Sequence, residues 1–334
     1  MNWNWPLKSR NGNHRSGHRG KDRHSKGHNG NGDDLNGVSS DPSPDFLCVG
    51  AQKGGTSWLY RQLEAHSDFW MPPVKELHYL DQLNRTKRFH TPRRQDQSDS
   101  FFLEEMNDLS GRSYLDLERY GRLFQHKAAR VSGDISPAYS TLNDEIIERV
   151  VHHFPKMKVI FLAREPVERA WSQLSMGVRL GTINKFDATD PEQVVCNLLN
   201  PGVLVRSHPS KIVARWKRYV RPENFRVYFF DDLNENPAEL RKSILRFLGG
   251  DPDKPSGRLK PHDNDDTGRE KLRLTAKVRE RMARFFEHEL KACAAELGGR
   301  AKNWPARYGF SFLLFFWDLL DDSIDLLFWC DGIC

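Results

Sequence analysis

Short apolar runs that alternate with helical patterns constrain the fold of this chain more than any other feature. The runs lie at 46–50, 130–133, 158–163 and 226–230. Helical patterns lie at 57–64, 143–153, 166–176, 211–219 and 237–248. Short buried strands alternating with helices are typical of a parallel sheet covered on both faces. We therefore predict an α/β fold, a three-layer sandwich with a central parallel β-sheet flanked by helices.

The two ends of the chain differ from its middle. Residues 1–40 carry seven Lys and Arg against three Asp and Glu, so +4 of the net charge of +6 lies there, with no apolar periodicity. We predict a disordered basic tail over 1–44. One α/β domain is predicted over 45–308, with polar, irregular insertions at 82–129 and 179–209 and one charged amphipathic helix at 271–297. A hydrophobic, helical appendix is predicted over 309–334.

Charge and cysteine usage exclude several classes of function. Without the tail the chain is only +2, which gives no reason to expect a nucleic-acid partner. The five cysteines are scattered without metal-ligand spacing, which favours a reducing compartment and no structural metal. No apolar segment opens the chain, and we predict a cytoplasmic protein. In the appendix, Asp318, Asp321, Asp322 and Asp325 form an acidic stripe that argues against membrane contact. Packing of the appendix on the domain and self-association as a homodimer both stay open.

The first apolar run leads into a glycine-rich loop that can bind an anion. The loop contains Lys53, Gly54 and Gly55, and Thr56 and Ser57 begin the following helix. Glycines let successive backbone N–H groups point inward, and a helix N-terminus favours negative charge. Lysine precedes both glycines, so the loop is not a Walker A motif. Ligands of open parallel sheets bind at the carboxyl ends of the strands, where this loop is predicted to lie.

Further polar clusters follow the turn at Met71–Pro73 and the third apolar run. Glu76, His78 and Asp81 belong to the first of these clusters, and a carboxylate such as Glu76 can accept a proton. Arg164 closes the third run directly before a helix that contains Ser172. Arginine suits phosphate because its planar guanidinium binds two oxygens at once.

These motifs resemble those of the P-loop sulfotransferases, especially the branch of heparan sulfate sulfotransferases and their bacterial relatives. VGAQKGGTSWLY, which ends in Trp58 and the two residues after it, is similar to that family's 5′-phosphosulfate loop. The resemblance covers about 45–300. It implies a P-loop-type fold and 3′-phosphoadenosine 5′-phosphosulfate as donor, without a metal.

The resemblance also implies roles for individual residues. Lys53 would contact the transferring group, and residues 54–58 would hold the 5′-phosphate. Arg164 and Ser172 match the family's 3′-phosphate element. Glu76 matches its catalytic base, and His78 takes an orienting or substrate-contacting role.

One segment departs from the family pattern. In Asp134-Ile135-Ser136-Pro137, isoleucine stands where the heparan-type enzymes place lysine directly before the hydroxyl residue. The departure removes a cation from the leaving-group side and puts a glycosaminoglycan acceptor in doubt. Asp134 and Ser136 fit a functional and a purely structural turn equally well.

The expected reaction is in-line transfer of a sulfuryl group to a hydroxyl or amine of a carbohydrate or small-molecule acceptor. Two alternatives stay open. One is a P-loop nucleotide kinase, although the chain lacks the GK[ST] sequence. The other is a non-catalytic, membrane-associated binding protein on the same fold.

Overall fold

A computed structural model describes residues 42–86, 97–255, 257, 259–262 and 271–311. Almost all of the predicted basic tail lies outside these residues, and so does the predicted appendix beyond Ser311.

The centre of the fold is a parallel sheet, as predicted. Its strands are β1 (Phe46–Cys48), β2 (Gly133–Ile135), β3 (Lys158–Ala163) and β4 (Phe225–Phe229). They lie in the order β2-β1-β3-β4, and every pairing is parallel. The carboxyl ends of all these strands therefore meet at one edge of the sheet.

Helices cover both faces of this sheet. In chain order they are α1 (Thr56–Glu64), α2 (Gln97–Ser110), α3 (Leu117–Arg122), α4 (Asp144–His153), α5 (Pro166–Leu180), α6 (Pro191–Leu198), α7 (Pro201–Leu204), α8 (Pro209–Lys217), α9 (Phe230–Glu235), α10 (Pro237–Leu248), α11 (Ala276–Phe285) and α12 (Glu287–Glu296). Proline occupies the first turn of five of them, α5 to α8 and α10, where its missing N–H costs nothing.

Alternate residues of each strand enter different halves of the core. Leu47 and Val159 belong to one buried cluster, and Cys48 and Ile160 belong to the other. Side chains that alternate along a strand point to opposite faces of the sheet, so both faces are buried. Helices cover both faces, which confirms the three-layer arrangement. Within the described part of the chain, no helix is long and apolar enough to cross a membrane.

The predicted strand at 130–133 is wrong in its position. Val131 forms only an isolated bridge with Phe69, and β2 begins at Gly133. A Cβ at Gly133 would lie 2.2 Å from the carbonyl oxygen of Phe46, so glycine permits the close approach to β1. The prediction ended the strand before Asp134, because the interior of a strand rarely holds a carboxylate. Asp134 nevertheless lies in β2 and is only 1% exposed.

The predicted irregular insertions contain helices, which corrects that expectation. In α2, Phe102, Met106 and Leu109 are buried on one face at helical spacing, although the rest of the helix is polar. The second insertion contains α6 and α7, and Asp190 caps α6 by accepting from the Glu192 N–H.

The predicted helix at 271–297 is also wrong, because the chain forms two helices there. The helices α11 and α12 meet at Phe286, which is 1% exposed. The charged pattern runs through the junction without a break and so predicts one helix. The chain instead ends α11 where the side chain of Phe286 enters the core.

Candidate active site

The loop after β1 is a tight turn at the carboxyl edge of the sheet. Beyond β1 the Ala51 N–H still donates to the Leu162 carbonyl at 2.9 Å, and the Gly54 N–H then donates back to the Ala51 carbonyl at 2.8 Å. A Cβ at Gly54 would lie 2.3 Å from the Leu162 oxygen, so no larger residue fits. Lys53 and Gly55 have φ values of +70° and +101°, and the chain therefore curls directly before α1.

The N-terminus of α1 opens from this loop without a side-chain cap. Gly55 is the N-cap residue and offers no side chain to the first amides, whereas Glu165 caps α5. Ser57 is exposed on the first turn, and Thr56 is buried beside it. A ligand anion can supply the acceptor that the helix lacks.

Trp58, which was predicted to bind the donor, has its contacts inside the protein. Its ring is 1% exposed in one of the two core clusters. The indole N–H donates to the Pro261 carbonyl at 2.7 Å. These contacts fix α1 and, through it, the loop.

Arg164 leaves the end of β3 and contacts the same loop. Its Nη1 donates to the Lys53 carbonyl at 2.9 Å, and its guanidinium lies 4.2 Å from the centre of the Phe230 ring. Glu168 is 3.8 Å away on α5. The structure therefore brings together the predicted 5′ and 3′ ends of the donor site, while Ser172 is half-buried further along α5.

Glu165, directly after Arg164, is a buried carboxylate. It accepts from the N–H groups of Val167 and Glu168 at 2.8 and 3.0 Å, and from the Tyr308 hydroxyl at 2.9 Å. Burial raises the pKa of Glu165 to about 7 in spite of these hydrogen bonds. The group that starts α5 therefore titrates close to neutral pH.

The predicted catalytic residues form a connected set in residues 75–81, called here the Glu76 segment. His78 Nε2 lies 3.4 Å from Glu76 Oε2, and His78 Nδ1 lies 3.1 Å from both carboxylate oxygens of Asp81. Lys75 pairs with the other oxygen of Glu76. The imidazole therefore bridges two carboxylates.

These neighbours set the charges of Glu76 and His78. Burial opposes ionisation of Glu76, but Lys75 and His78 outweigh it and lower its pKa to about 2. Burial also disfavours the imidazolium, but the hydrogen bonds that the ring donates to Asp81 and Glu76 raise the pKa of His78 to about 9. At neutral pH the site thus holds an ionised Glu76 beside a protonated His78.

The Glu76 segment lies close to the start of the loop. Burial raises the pKa of the Cys48 thiol, the last residue of β1, to about 12, and the charges of Lys75, Asp134 and Glu76 also act on this thiol. The His78 N–H donates at 3.3 Å to Ser136, the residue directly after β2, and β2 pairs with β1. The Glu76 segment therefore lies at the carboxyl edge of the sheet, where the loop after β1 also begins.

The sequence left Asp134 and Ser136 undecided between a functional and a structural turn, and it did not indicate their contacts with Tyr120 and Tyr139 in a buried cluster beneath this segment. Asp134 accepts hydrogen bonds from the hydroxyls of Ser136, Tyr139 and Tyr120 at 2.7, 2.6 and 3.0 Å. The Ser136 oxygen in turn accepts from the His78 N–H at 3.3 Å. The available signal was an acidic residue directly after an apolar run, with two hydroxyl residues close behind it.

Arg169 was also missed. It is fully buried on α5 and donates to Gln173 Oε1 at 2.6 Å, the Val203 carbonyl at 3.1 Å and Ser207 Oγ at 2.5 Å. Burial lowers its pKa to about 9. Arg169 thereby attaches the second insertion to the helix that begins beside Arg164.

The family follows from a comparison of sequences. A model of the sulfotransferase family matches residues 44–254, which include the loop, the Glu76 segment and Arg164. The chain belongs to the sulfotransferase family. No curated protein matches it significantly by sequence.

Solved structures of sulfotransferases resemble the fold. A sulfotransferase from Alicyclobacillus acidocaldarius is 23% identical with a TM-score of 0.56, over 78% of this chain and 98% of that one. The sulfotransferase domain of the Synechococcus PCC 7002 olefin synthase is 19% identical with a TM-score of 0.46, over 68% of this chain and 80% of that one. The first match supports the α/β fold, and the second is too distant to support more.

Proposed function

We propose that this sulfotransferase uses 3′-phosphoadenosine 5′-phosphosulfate as donor and transfers its sulfuryl group to a hydroxyl or amine of a carbohydrate or small molecule. The observation that carries the proposal is the hydrogen bond of 2.9 Å between Arg164 and the Lys53 carbonyl. It joins two cationic residues at the edge where parallel sheets bind ligands. Such a pair suits a donor with phosphate groups at two ends.

The residues present fit this donor. The uncapped start of α1, with Ser57 exposed, would hold the 5′-phosphate. Arg164 would bind the 3′-phosphate, with Ser172 as a second contact on α5. Stacking on Phe230 holds the guanidinium plane in one orientation. Lys53 would offset the negative charge on the bridging oxygen.

Glu76 would act as the base. The acceptor oxygen or nitrogen attacks sulfur with its lone pair, the bond from sulfur to the bridging oxygen breaks, and 3′-phosphoadenosine 5′-phosphate leaves with that electron pair. The acceptor proton becomes acidic as its new bond to sulfur forms, and it passes to the ionised Glu76 carboxylate. His78, protonated and held by Asp81, orients that carboxylate.

A screen of acceptors with sulfur-labelled donor tests the proposal. We expect label to pass to at least one acceptor, and Glu76→Gln to lower kcat by about 100-fold or more, as for loss of a general base. Glu64→Gln, on the last turn of α1, is the control. Phosphoryl transfer from ATP in the same screen would favour the kinase, and the absence of any turnover would favour a binding protein.

A further inference from the structure

A buried cluster of hydroxyl groups lies between Asp134 and the backbone of the Glu76 segment. Asp134 is 1% exposed, and Ser136 and Tyr139 are fully buried. Both hydroxyls donate to the Asp134 carboxylate, at 2.7 and 2.6 Å. Because both hydroxyl protons point at Asp134, the lone pairs of the two hydroxyl oxygens face elsewhere.

Those lone pairs accept backbone N–H groups of the Glu76 segment. Ser136 Oγ accepts from His78 at 3.3 Å. The Tyr139 hydroxyl accepts from Tyr79 at 3.1 Å and from Leu80 at 3.4 Å. One buried carboxylate thus fixes consecutive amides through two intermediate hydroxyls.

The backbone that these bonds hold is strained. Glu76 and His78 have φ values of +63° and +55°, a region that residues with a Cβ enter at a cost of roughly 1–3 kcal/mol each. Such conformations persist only where surrounding contacts fix them. Both strained residues carry the side chains that face each other at 3.4 Å.

We propose that Asp134, Ser136 and Tyr139 are positioning residues for the reaction, which hold the Glu76 segment in its strained conformation and so aim the Glu76 carboxylate. The inference rests on the proposed role of Glu76 as base. It assigns a function to the segment in which isoleucine replaces the lysine of the heparan-type enzymes. The segment here acts through buried hydrogen bonds rather than through a cation at the donor.

Two tyrosines provide a matched test. Tyr139 and Tyr120 are both fully buried, and both donate to the same Asp134 oxygen, at 2.6 and 3.0 Å. Of the two, Tyr139 also accepts from the Glu76 segment. Tyr139→Phe and Tyr120→Phe therefore each remove a hydroxyl oxygen and its hydrogen bond to Asp134. Of the two, Tyr139→Phe also removes hydrogen bonds from backbone N–H groups of the Glu76 segment.

The first readout is steady-state kinetics with the acceptor identified by the screen. We expect Tyr139→Phe to lower kcat at least tenfold, because small displacements of a catalytic group can cost up to about 100-fold. The KM for the donor should stay within about twofold, since the donor loop is untouched. Tyr120→Phe should keep both parameters near those of the native protein.

The second readout is amide hydrogen exchange at His78 and Tyr79, which needs no acceptor. Tyr139→Phe should speed exchange at Tyr79, and Ser136→Ala should speed exchange at His78, whereas Tyr120→Phe should change neither. Ser136→Ala also replaces Tyr139→Phe in the kinetic test if the tyrosine variant does not fold.

The outcomes separate this inference from the proposed function. Equal exchange and equal kcat in the two tyrosine variants would overturn the positioning role, even with a fully active native protein. Faster exchange without a loss of kcat would also overturn it. Native protein that transfers no sulfuryl group, or Glu76→Gln with normal kcat, would count against the proposed function instead.

Discussion

At the scale of residues, the charges of the site depend on close neighbours rather than on single side chains. Glu76 is ionised because Lys75 and His78 outweigh the effect of burial, and His78 is protonated because it lies between two carboxylates. Arg164 is oriented by a carbonyl on one side and an aromatic ring on another. Preorganised charge of this kind is how enzymes that transfer anionic groups lower their barriers.

Substitution of Lys53 and of Arg164 should have different effects. Lys53→Ala should lower kcat strongly and change the affinity for 3′-phosphoadenosine 5′-phosphate little, because its charge is needed most in the transition state. Arg164→Ala should weaken that affinity by roughly 1–3 kcal/mol. Calorimetry and initial rates measure both, and Arg284→Ala on the exposed face of α11 is the control. Unchanged product affinity in Arg164→Ala would contradict the placement of the 3′-phosphate.

His78 should make stability fall at alkaline pH. Its pKa is about 9 in the folded chain against an ordinary value of 6.5, so its ion pairs contribute fully below about pH 6.5 and are lost as the pH rises through 9. The free energy of unfolding of the native protein should therefore exceed that of His78→Asn by more at pH 6 than at pH 10. The change should reach at most about 3 kcal/mol. A difference that is constant over this range in denaturant titrations would argue against the bridged imidazolium.

At the scale of elements, the sequence predicted the strands and helices whose apolar pattern is simple. The helix at 237–248 was predicted with its observed bounds, and β3 was too. β2 was misplaced because Asp134 is buried through hydrogen bonds with Tyr120 and Tyr139, which lie outside the strand on either side of it. Local periodicity cannot reveal such tertiary partners.

The candidate site was also predictable only in part from the sequence. Lys53, Arg164 and the Glu76 segment could be located because each directly follows a strand or a turn and matches a family motif. The hydrogen bonds that hold the Glu76 segment could not be predicted, because Ser136 and Tyr139 contact it from about 60 residues further along the chain. The helices in the insertions, such as α2, were not predicted because few of their residues are apolar and these lie on one narrow face.

The start of α5 should be sensitive to pH through Glu165. Its pKa of about 7 exceeds the ordinary value of 4.5, so the folded chain binds the proton more tightly. This contribution to stability is lost as the pH rises from 4.5 through 7. The unfolding free energy of the native protein relative to Glu165→Gln should fall between pH 5 and pH 8, by up to about 3 kcal/mol. A relative stability that stays constant over this interval would show that Glu165 is already ionised in the folded chain.

At the scale of the whole molecule, the order of the parallel strands brings the residues of the candidate site together. β1 and β3 are neighbours, and the loop after β1 and Arg164 after β3 therefore meet at one edge. The Glu76 segment reaches the same edge through the turn before it and is held there by the residues that follow β2. The second insertion joins this frame through Arg169.

The basic tail should be dispensable for the reaction. Its sequence offers no apolar face to dock, and the family match begins at residue 44. A chain that starts at Asp41 should keep the kcat and the donor KM of the full chain. A shortened chain that is folded by circular dichroism but inactive would contradict this expectation.

Binding of the desulfated product tests the central claim most directly. Isothermal calorimetry would compare 3′-phosphoadenosine 5′-phosphate with ADP and AMP, which lack the 3′-phosphate, at one salt concentration. A charged hydrogen bond to Arg164 predicts a Kd for the 3′-phosphorylated nucleotide that is about tenfold to 100-fold lower than for ADP, a preference that Arg164→Ala should abolish. Equal affinity for the three nucleotides would contradict the assignment of the donor.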